Sequence, residues 1–552
     1  ALLAPGILAR KPSARRMAAL ASLTALARVA LSVNDQMIRF WGALIVIAAG
    51  GSYLALWLSR RRPQIWKPIL LGLILEMILR IVGDTFDISL QNASLIPVAL
   101  WSVLMIVVSL RLTQNEHEAP QRSLSWNGGL GLGAFFFLET SLLTLPNGIA
   151  RWSDAPYAWI AVLLVVVTFI PLLPNFGDFV RVRLANSGGR IAIVALLTAG
   201  LLLGYFMSGA GAAVALLLAQ AAAVFALVLL LGGNAFPVRP SGWPLALGGV
   251  LLLLLDYLNA FAFTYPYTLP QMKGMGWSVY VAACLFFAWG VLRKRQDSEA
   301  QQDSKKGSSW SWVSLMLAGI IVGVTVWPQE KQPLPEDRLR LATYNIHYGY
   351  DDDWHTTLED IAQTIESEGV DVIALQEVDT GRMTSYCADN AYFLPTVEHL
   401  TGIALLYKGP QAPEDSTLVA SLQEPTGVVH AALTWKGMDL HSYGIWMGLS
   451  DEDTMRQIEQ ALEFIGARSP ASFGGDFNAE PDNPEVGKVF KAGFADPFEL
   501  LGISPAPFTS PAIDPESRID FVVVRDLIPV DAWVSDSLAS DHRMVVIEVA
   551  QP

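Results

Sequence analysis

Cysteine is almost missing from this chain: two residues in 552, Cys284 inside an apolar run and Cys387 alone in a polar region. No disulfide can form within either region, and cysteine usage is silent on the redox compartment. Charge is thin too, at 16% of residues, and it is unevenly spread. Residues 1–327 hold 24 lysines and arginines against 13 acids, a formal +11, whereas residues 328–552 hold 13 against 38, a formal −25. The second region therefore lacks the basic groove that binding a phosphate backbone requires, and nucleic acid is not an expected partner. No internal repeat is visible, and no signal peptide is legible. The chain opens on Ala1, so its natural start is expected upstream.

Long apolar runs are plentiful before residue 328. Stretches of about 17 to 23 residues, long enough to cross a bilayer as helices, fall at 17–33, 40–59, 67–83, 94–112, 127–145, 156–174, 190–207, 210–232, 243–263, 276–292 and 311–327. Helix is the expected form, because lipid offers the backbone no other partners. The basic loops ARKPSARR, SRRRPQIWK, RVRLANSGGR and RKRQDSEAQQDSKKG fall on one side of such an array. A cytoplasmic N-terminus follows from the excess of positive charge on cytoplasmic loops. With eleven spans the C-terminal region lies outside the cytoplasm. Glu76, Arg80, Glu139 and Asp256 sit within these runs. Glu76 and Arg80 read as an ion pair one turn apart. With that pair goes a structural reading in which Glu139 and Asp256 are hydrogen-bonded between helices; the alternative is that the four line a polar pocket toward the outer leaflet, since ionisable groups at that depth face a bundle interior or a wet cavity.

The expected organisation is therefore an all-α polytopic membrane domain over 1–327, a polar, proline-rich linker PQEKQPLPEDR at 328–338, and an α/β domain over 339–552. In the last, RLATYNI, DVIALQEV, GIALLYK, VVHAALTW, LHSYGIW, ASFGGDFNA, SRIDFVVV and MVVIEVA read as strands, and TLEDIAQTIESEG and DEDTMRQIEQALEFIGA as helices. Several strands are apolar on both faces, as in a sheet covered on both sides.

Polar chemistry gathers at the strand ends: Asn345, Glu377, Asp476 with Asn478 in GGDFNAE, Asp520, and Asp541 with His542. Four acids, two amides and one histidine suit a hard cation, Mg²⁺ or Mn²⁺, whereas zinc calls for more histidine or cysteine. A His–Asp pair beside such an ion suits activation of water against a phosphodiester. Each residue alone has a plainer reading as a cap or turn former. The run DDDW at 351–354 reads as a solvated acidic loop.

The ordered set YNIHYG, LQEVD, GGDFNAEP, RIDFV and SDHRMV resembles the endonuclease/exonuclease/phosphatase superfamily, with its DNase I-like fold, over about 340–550. The resemblance implies a four-layered α/β sandwich. It implies Glu377 as main metal ligand with Asn345 beside it, and Asp476 and Asn478 orienting the attacking water and the phosphoryl oxygens. It further implies His542 as general base polarised by Asp520, and Asp541 supporting metal or phosphate. Where the family often reads THLGLSPEERLRQ this chain has IWMGLSDEDTMRQ, which puts Trp446 at the place of the family's second histidine. Tryptophan offers an N–H donor and cannot do acid catalysis. Strand alternation directs His441 to the opposite face, and a hairpin turn at Lys436–Gly437 places His430 opposite Tyr443, so neither replaces it. NIHYGYD and LQEVDTGR on a domain behind many spans are similar to the proteins that exchange GPI-anchor lipid for ceramide. That similarity implies a membrane-lipid phosphodiester as substrate, by hydrolysis or transfer. The remaining readings are a catalytically impaired lipid-binding or assembly subunit, and a tethered extracytoplasmic nuclease.

Overall fold

A computed structural model describes residues 1–9, 13–59, 64–83, 92–114, 124–232, 241–263, 271, 274–293, 310–327, 333–379, 401–410, 412–422 and 426–552. Cys387 and most of the segment between LQEVD and GIALLY lie outside these. The chain divides into two compact units, the first holding most of Ala1–Trp327 and the second Pro328–Pro552.

The first unit is helical, and each of the eleven apolar stretches falls on helix. The expectation of eleven crossings is corrected by their length and composition. Among the described residues three helices are long and apolar enough to span a membrane: Gln36–Ser59, Ser187–Phe206 and Gly209–Gly232. A fourth results if Tyr157–Leu172 and Phe176–Arg183, bent by 66° at their junction, form one broken span. Trp66–Val82 and Gly276–Leu292 are 17 residues each, at the short end of the range for a spanning helix. Trp126–Leu138 continues into a π-helical turn at Glu139–Leu143. Ala14–Ala30 carries Arg15, Arg16 and Arg28. Small residues let helices meet closely: a Cβ on Gly133 would stand 2.0 Å from the Gly248 carbonyl oxygen, so Trp126–Leu138 and Trp243–Phe263 pack backbone to backbone there.

The second unit holds two five-stranded sheets. With β1 Leu339–Asn345, β2 Val372–Asp379, β3 Thr401–Tyr407, β4 Glu414–Val419, β5 Thr426–Trp435, β6 Met438–Trp446, β7 Ala471–Asp476, β8 Asp520–Arg525, β9 Ile528–Val534 and β10 Val545–Ala550, the orders are β3-β2-β1-β10-β9 and β4-β5-β6-β7-β8. β1 with β2 and β6 with β7 are parallel; the other pairings are antiparallel. Leu341, Ala374, Val429, Leu440, Val522 and Ile547 belong to the core between the sheets. A second core, with Phe473, Phe521, Ile458 and Val486, fills the space under helices Asp451–Ile465 and Pro484–Lys491. A third, with Tyr344, Ile373 and Ile361, lies under helix Leu358–Ser367. Helix, sheet, sheet, helices: this is the expected four-layered sandwich. β4 and β9 are strands that the sequence reading did not mark; β4, Glu414–Val419, is mostly exposed, and its polar residues carry no alternating apolar signal.

The sheets approach closely near one end. Thr343 pairs with Ala374 in one, Gly444 with Gly474 in the other. A Cβ on Gly444 would meet the Ala374 Cβ at 3.1 Å, and one on Gly474 the Thr343 Cβ at 3.4 Å. Two residues further along, on the same faces, stand Asn345, Gln376, Trp446 and Asp476.

Candidate active site

Asn345 closes the gap between the sheets. Its Nδ2 donates to Glu377 Oε1 and to Asp476 Oδ2, both at 3.0 Å, while its Oδ1 accepts the His347 N–H at 3.1 Å. Alternation along β2 points Gln376 inward, where its Oε1 accepts from Thr343 Oγ1 at 3.2 Å, and would send Glu377 outward. A register shift between Leu375 and Val378, with Glu377 at φ +55°, turns its carboxylate back toward the site. A bulge commonly re-aims a side chain in this way, and a positive φ on a residue with a Cβ costs energy that the surrounding structure must offset.

Asp476 ends β7 opposite Asp520, which begins β8. Asp476 Oδ1 accepts the Asn478 N–H at 2.9 Å, and Asn478, at φ +46°, donates through Nδ2 to the Met447 carbonyl at 2.8 Å. GGDFNAE is thus a turn locked by Asp476 on one side and by the end of β6 on the other. The Asp520 N–H donates to Thr509 Oγ1 at 3.3 Å, and Asp520 Oδ2 lies 2.8 Å from His542 Nδ1. Asp476, Asp520 and His542 are all buried, and they form a group whose ligand-type atoms converge within 4.8 Å. Ser540 Oγ donates to the Asn345 carbonyl at 2.7 Å, and Asp541 follows it, 3.9 Å from His347 Nδ1 through Oδ1.

The charges in this pocket are ill at ease without a cation. Burial pushes the Glu377 carboxyl up to about 8, more strongly than the Asn345 hydrogen bond pulls it down. Burial, then the neighbouring Asp520, raise Asp476 to about 7. Burial alone would lower His542, yet the charge and hydrogen bond of Asp520, with Asp476 and Asp541, hold it well above the ordinary imidazole value. Asp520 Oδ1 is buried with no hydrogen-bond partner. An orphaned carboxylate oxygen beside two carboxyls held up by desolvation fits a divalent cation, whose charge would relieve all three.

The structure thus brings together Asn345, Glu377, Asp476, Asn478, Asp520, Asp541 and His542, drawn from five segments of the chain. Trp446 pairs with Asp476 in register, on the same face, and packs partly buried against the core between the sheets. The histidines weighed against it lie elsewhere. Lys436 and Gly437, both at positive φ, make the hairpin turn, and His430 opposes Tyr443. His430 stacks on Tyr443 at 4.4 Å, bonds Asp415 through Nδ1 and meets His441 Nδ1 at 3.0 Å. Tyr443 belongs to the core under the outer helices, so this cluster is on the face away from the site.

Four contributors were not singled out from sequence: His347, Gln376, Thr509 and Ser540. His347 stands in the quoted YNIHYG and Ser540 just before Asp541, so proximity to a marked residue was the available signal; Thr509 had none. The acidic run is not a simple solvated loop either. Asp352 is exposed, yet its carboxyl is raised by partial burial and then by Asp541, which places it at the border of the site.

In the helical unit the four ionisable residues do not assemble. Glu76 accepts from Arg80 Nε at 3.2 Å on an exposed face. Glu139, fully buried on the π-turn, accepts from Gln220 Nε2 at 3.0 Å, and the same amide reaches Thr168. Among the described residues no hydrogen bond or ion pair joins the Glu76–Arg80 pair, Glu139 and Asp256 to one another. Glu76 thus pairs with Arg80 on lipid- or solvent-facing surface, while Glu139 is hydrogen-bonded between helices, as the structural reading of these residues expects.

Residues 342–542 match the endonuclease/exonuclease/phosphatase family. No curated protein matches the chain. Among solved structures, an endonuclease/exonuclease/phosphatase from Beutenbergia cavernae is 20% identical, over 39% of this chain and 72% of that one, with a TM-score of 0.33. The mannosyl-6-phosphatase Bt3783 of Bacteroides thetaiotaomicron is 18% identical over 38% and 99%, with a TM-score of 0.31. The catalytic domain of human Nocturnin is 18% identical over 40% and 96%, with a TM-score of 0.31. By the family match alone, the region 342–542 is an endonuclease/exonuclease/phosphatase domain.

Proposed function

We propose that this chain is a membrane-held, divalent-metal-dependent phosphodiesterase acting on the headgroup phosphodiester of a membrane lipid or glycolipid, by hydrolysis or by transfer to an alcohol. The observation that carries the reading is the buried His542–Asp520 pair, 2.8 Å apart, beside Asp476, Asn345 and Glu377. Asp520 fixes the ring through Nδ1, which leaves His542 Nε2 as the nitrogen that takes the proton of the attacking water or alcohol. Asp476 and Asn478, locked in their turn, orient that nucleophile and the phosphoryl oxygens. Glu377 and Asn345, with Asp541 beside them, would hold the cation. Mg²⁺ or Mn²⁺ bound there would supply charge stabilisation for the phosphoryl oxygens.

Two features favour lipid over nucleic acid: the formal −25 of residues 328–552 and the apolar helices that precede them. The cytoplasmic N-terminus and extracytoplasmic site belong to the same proposal, as does the likeness to ceramide-exchanging GPI-anchor proteins. Trp446 favours one second reading, an impaired lipid-binding or assembly subunit, because that position cannot protonate a leaving group.

The deciding experiment incubates the purified full chain with Mg²⁺ or Mn²⁺ and mixed phospholipids, sphingolipids and inositol lipids, and follows headgroup loss by mass spectrometry. The expected result is metal-dependent loss from one lipid class, abolished by EDTA and by Glu377→Ala. No product from any lipid, with the fold intact, would leave the binding-subunit reading in its place.

A further inference from the structure

Eight large apolar side chains of the second unit are exposed among the described residues, and their distribution is lopsided. Six flank the strand ends that carry the site: Leu418, Leu422, Leu449, Phe508, Ile513 and Leu538, from 49% to 74% exposed. Each can be placed by its neighbours. Leu418 pairs with Gly427, next to the pair Val428–Ile445 and level with Trp446, and Leu422 follows on the same loop, its N–H donating to Asp453. Leu449 comes two residues after Met447, whose carbonyl holds Asn478. Phe508 precedes Thr509, which anchors Asp520. Ile513 follows Ala512, whose N–H donates to the Asp541 carbonyl at 2.6 Å. Leu538 precedes Ala539 and Ser540, the latter bonded to Asn345. The other two, Leu500 and Ile528, lie toward the opposite end, near the β8–β9 turn.

We infer that this apolar rim is a bilayer-docking surface, which sets the site down onto the headgroup layer and so selects lipid phosphodiesters presented in a membrane. The inference deepens the lipid phosphodiesterase reading and rests on it for the choice of substrate. A bilayer is the occupant because this same chain carries helices of spanning length. Only the eleven residues 328–338 separate the last apolar run from β1, a reach of at most about 40 Å fully extended. At such tether lengths the effective concentration of lipid surface is high, and a modest apolar contact suffices. Exposed acids stand among the apolar tips: Asp352, Asp353, Asp514, Glu516 and Asp536. The contact is therefore apolar in origin, tolerant of salt, and better suited to zwitterionic than to anionic lipid.

The test uses the full chain in vesicles of phosphatidylcholine with brominated acyl chains, in a Cys387→Ser background. An environment-sensitive fluorophore is attached at Leu449→Cys or, at the far end, Leu500→Cys. The expected result is a blue shift and bromine quenching at 449 but not at 500, unchanged in about 0.5 M salt and weakened when phosphatidylglycerol replaces phosphatidylcholine. Equal quenching at both positions, or at neither, overturns the inference. So does a blue shift at 449 that persists in detergent without a bilayer, which would mean that a protein surface covers the rim. The second arm combines L449S, F508S, I513S and L538S. Turnover of bilayer lipid should fall on the order of tenfold, with cleavage of water-soluble bis(p-nitrophenyl) phosphate retained. An equal loss on both substrates counts against docking. A wild type that cleaves neither substrate overturns the phosphodiesterase reading, while the fluorophore still decides docking.

Discussion

At Asp520 one carboxylate has two tasks: through Oδ2 it fixes His542, and its Oδ1 stays buried and unpartnered. Asp520→Asn keeps the size and removes the charge. It should lower kcat about 100-fold or more, the usual scale of general base catalysis, with KM little changed, as steady-state kinetics on the cleaved lipid will show. The same pocket fixes how stability responds to pH. Glu377 and Asp476 titrate higher in the fold, at about 8 and about 7, than their ordinary 4.5 and 3.8. His542 is also raised, so its contribution is complete below the unfolded value and fades as pH climbs through the folded one. The native state therefore holds more protons than the unfolded chain from about pH 4 to pH 8, through the two carboxyls first and through His542 above its ordinary 6.5, so the metal-free protein loses stability as pH rises through that window. Thermal unfolding in EDTA should show Tm falling from pH 5 to pH 8, and Mg²⁺ or Mn²⁺ should flatten the slope.

Among the elements, the segment between Pro497–Leu500 and β8 has its own anchor. Arg518 forks onto Asp496 at 2.6 and 2.9 Å, with the faces of Phe498 and Phe521 at 4.7 and 4.8 Å. Both charged groups are buried, so Arg518→Ala leaves the Asp496 charge with no cation and only the Phe498 N–H as partner. The expected cost is about 3–5 kcal/mol, the range for breaking a buried ion pair, measured by denaturant unfolding. Since Asp520 is two residues on, the Asp520–His542 pair should loosen with it. The strands show what pattern reading catches and misses. β1, β2, β7 and β10 are nearly continuous apolar runs and were legible. The inward turn of Glu377 was not, because a bulge and a positive φ overrode an alternation that would have pointed it outward. The hairpin at Lys436–Gly437 was readable, and it correctly took His430 and His441 off the face of Trp446.

For the molecule as a whole, charge separates the candidate substrates. With −25 on residues 328–552, the chain should bind no duplex DNA at about 50 mM salt, where counterion release most favours association; a mobility-shift titration checks this. The amino-acid sequence by itself determined the division near residue 328, the strand-rich character of the C-terminal half and the identity of most site residues. Those follow from composition, from local periodicity and from short polar motifs at the ends of apolar runs, none of which needs distant partners. Helix was equally legible in the N-terminal half, but the number of crossings was not. That depends on where each helix stops or bends, as at the 66° break before Phe176. Only the tertiary structure decided that Asn345 joins Glu377 to Asp476, that Thr509 and Ser540 buttress the site, and that Glu139 meets Gln220 across the helices. Those outcomes rest on how closely two sheets approach at Gly444 and Gly474 and on which helix faces meet. Contacts such as Asn345 with Asp476, 131 positions apart, leave no local signal in the chain that makes them.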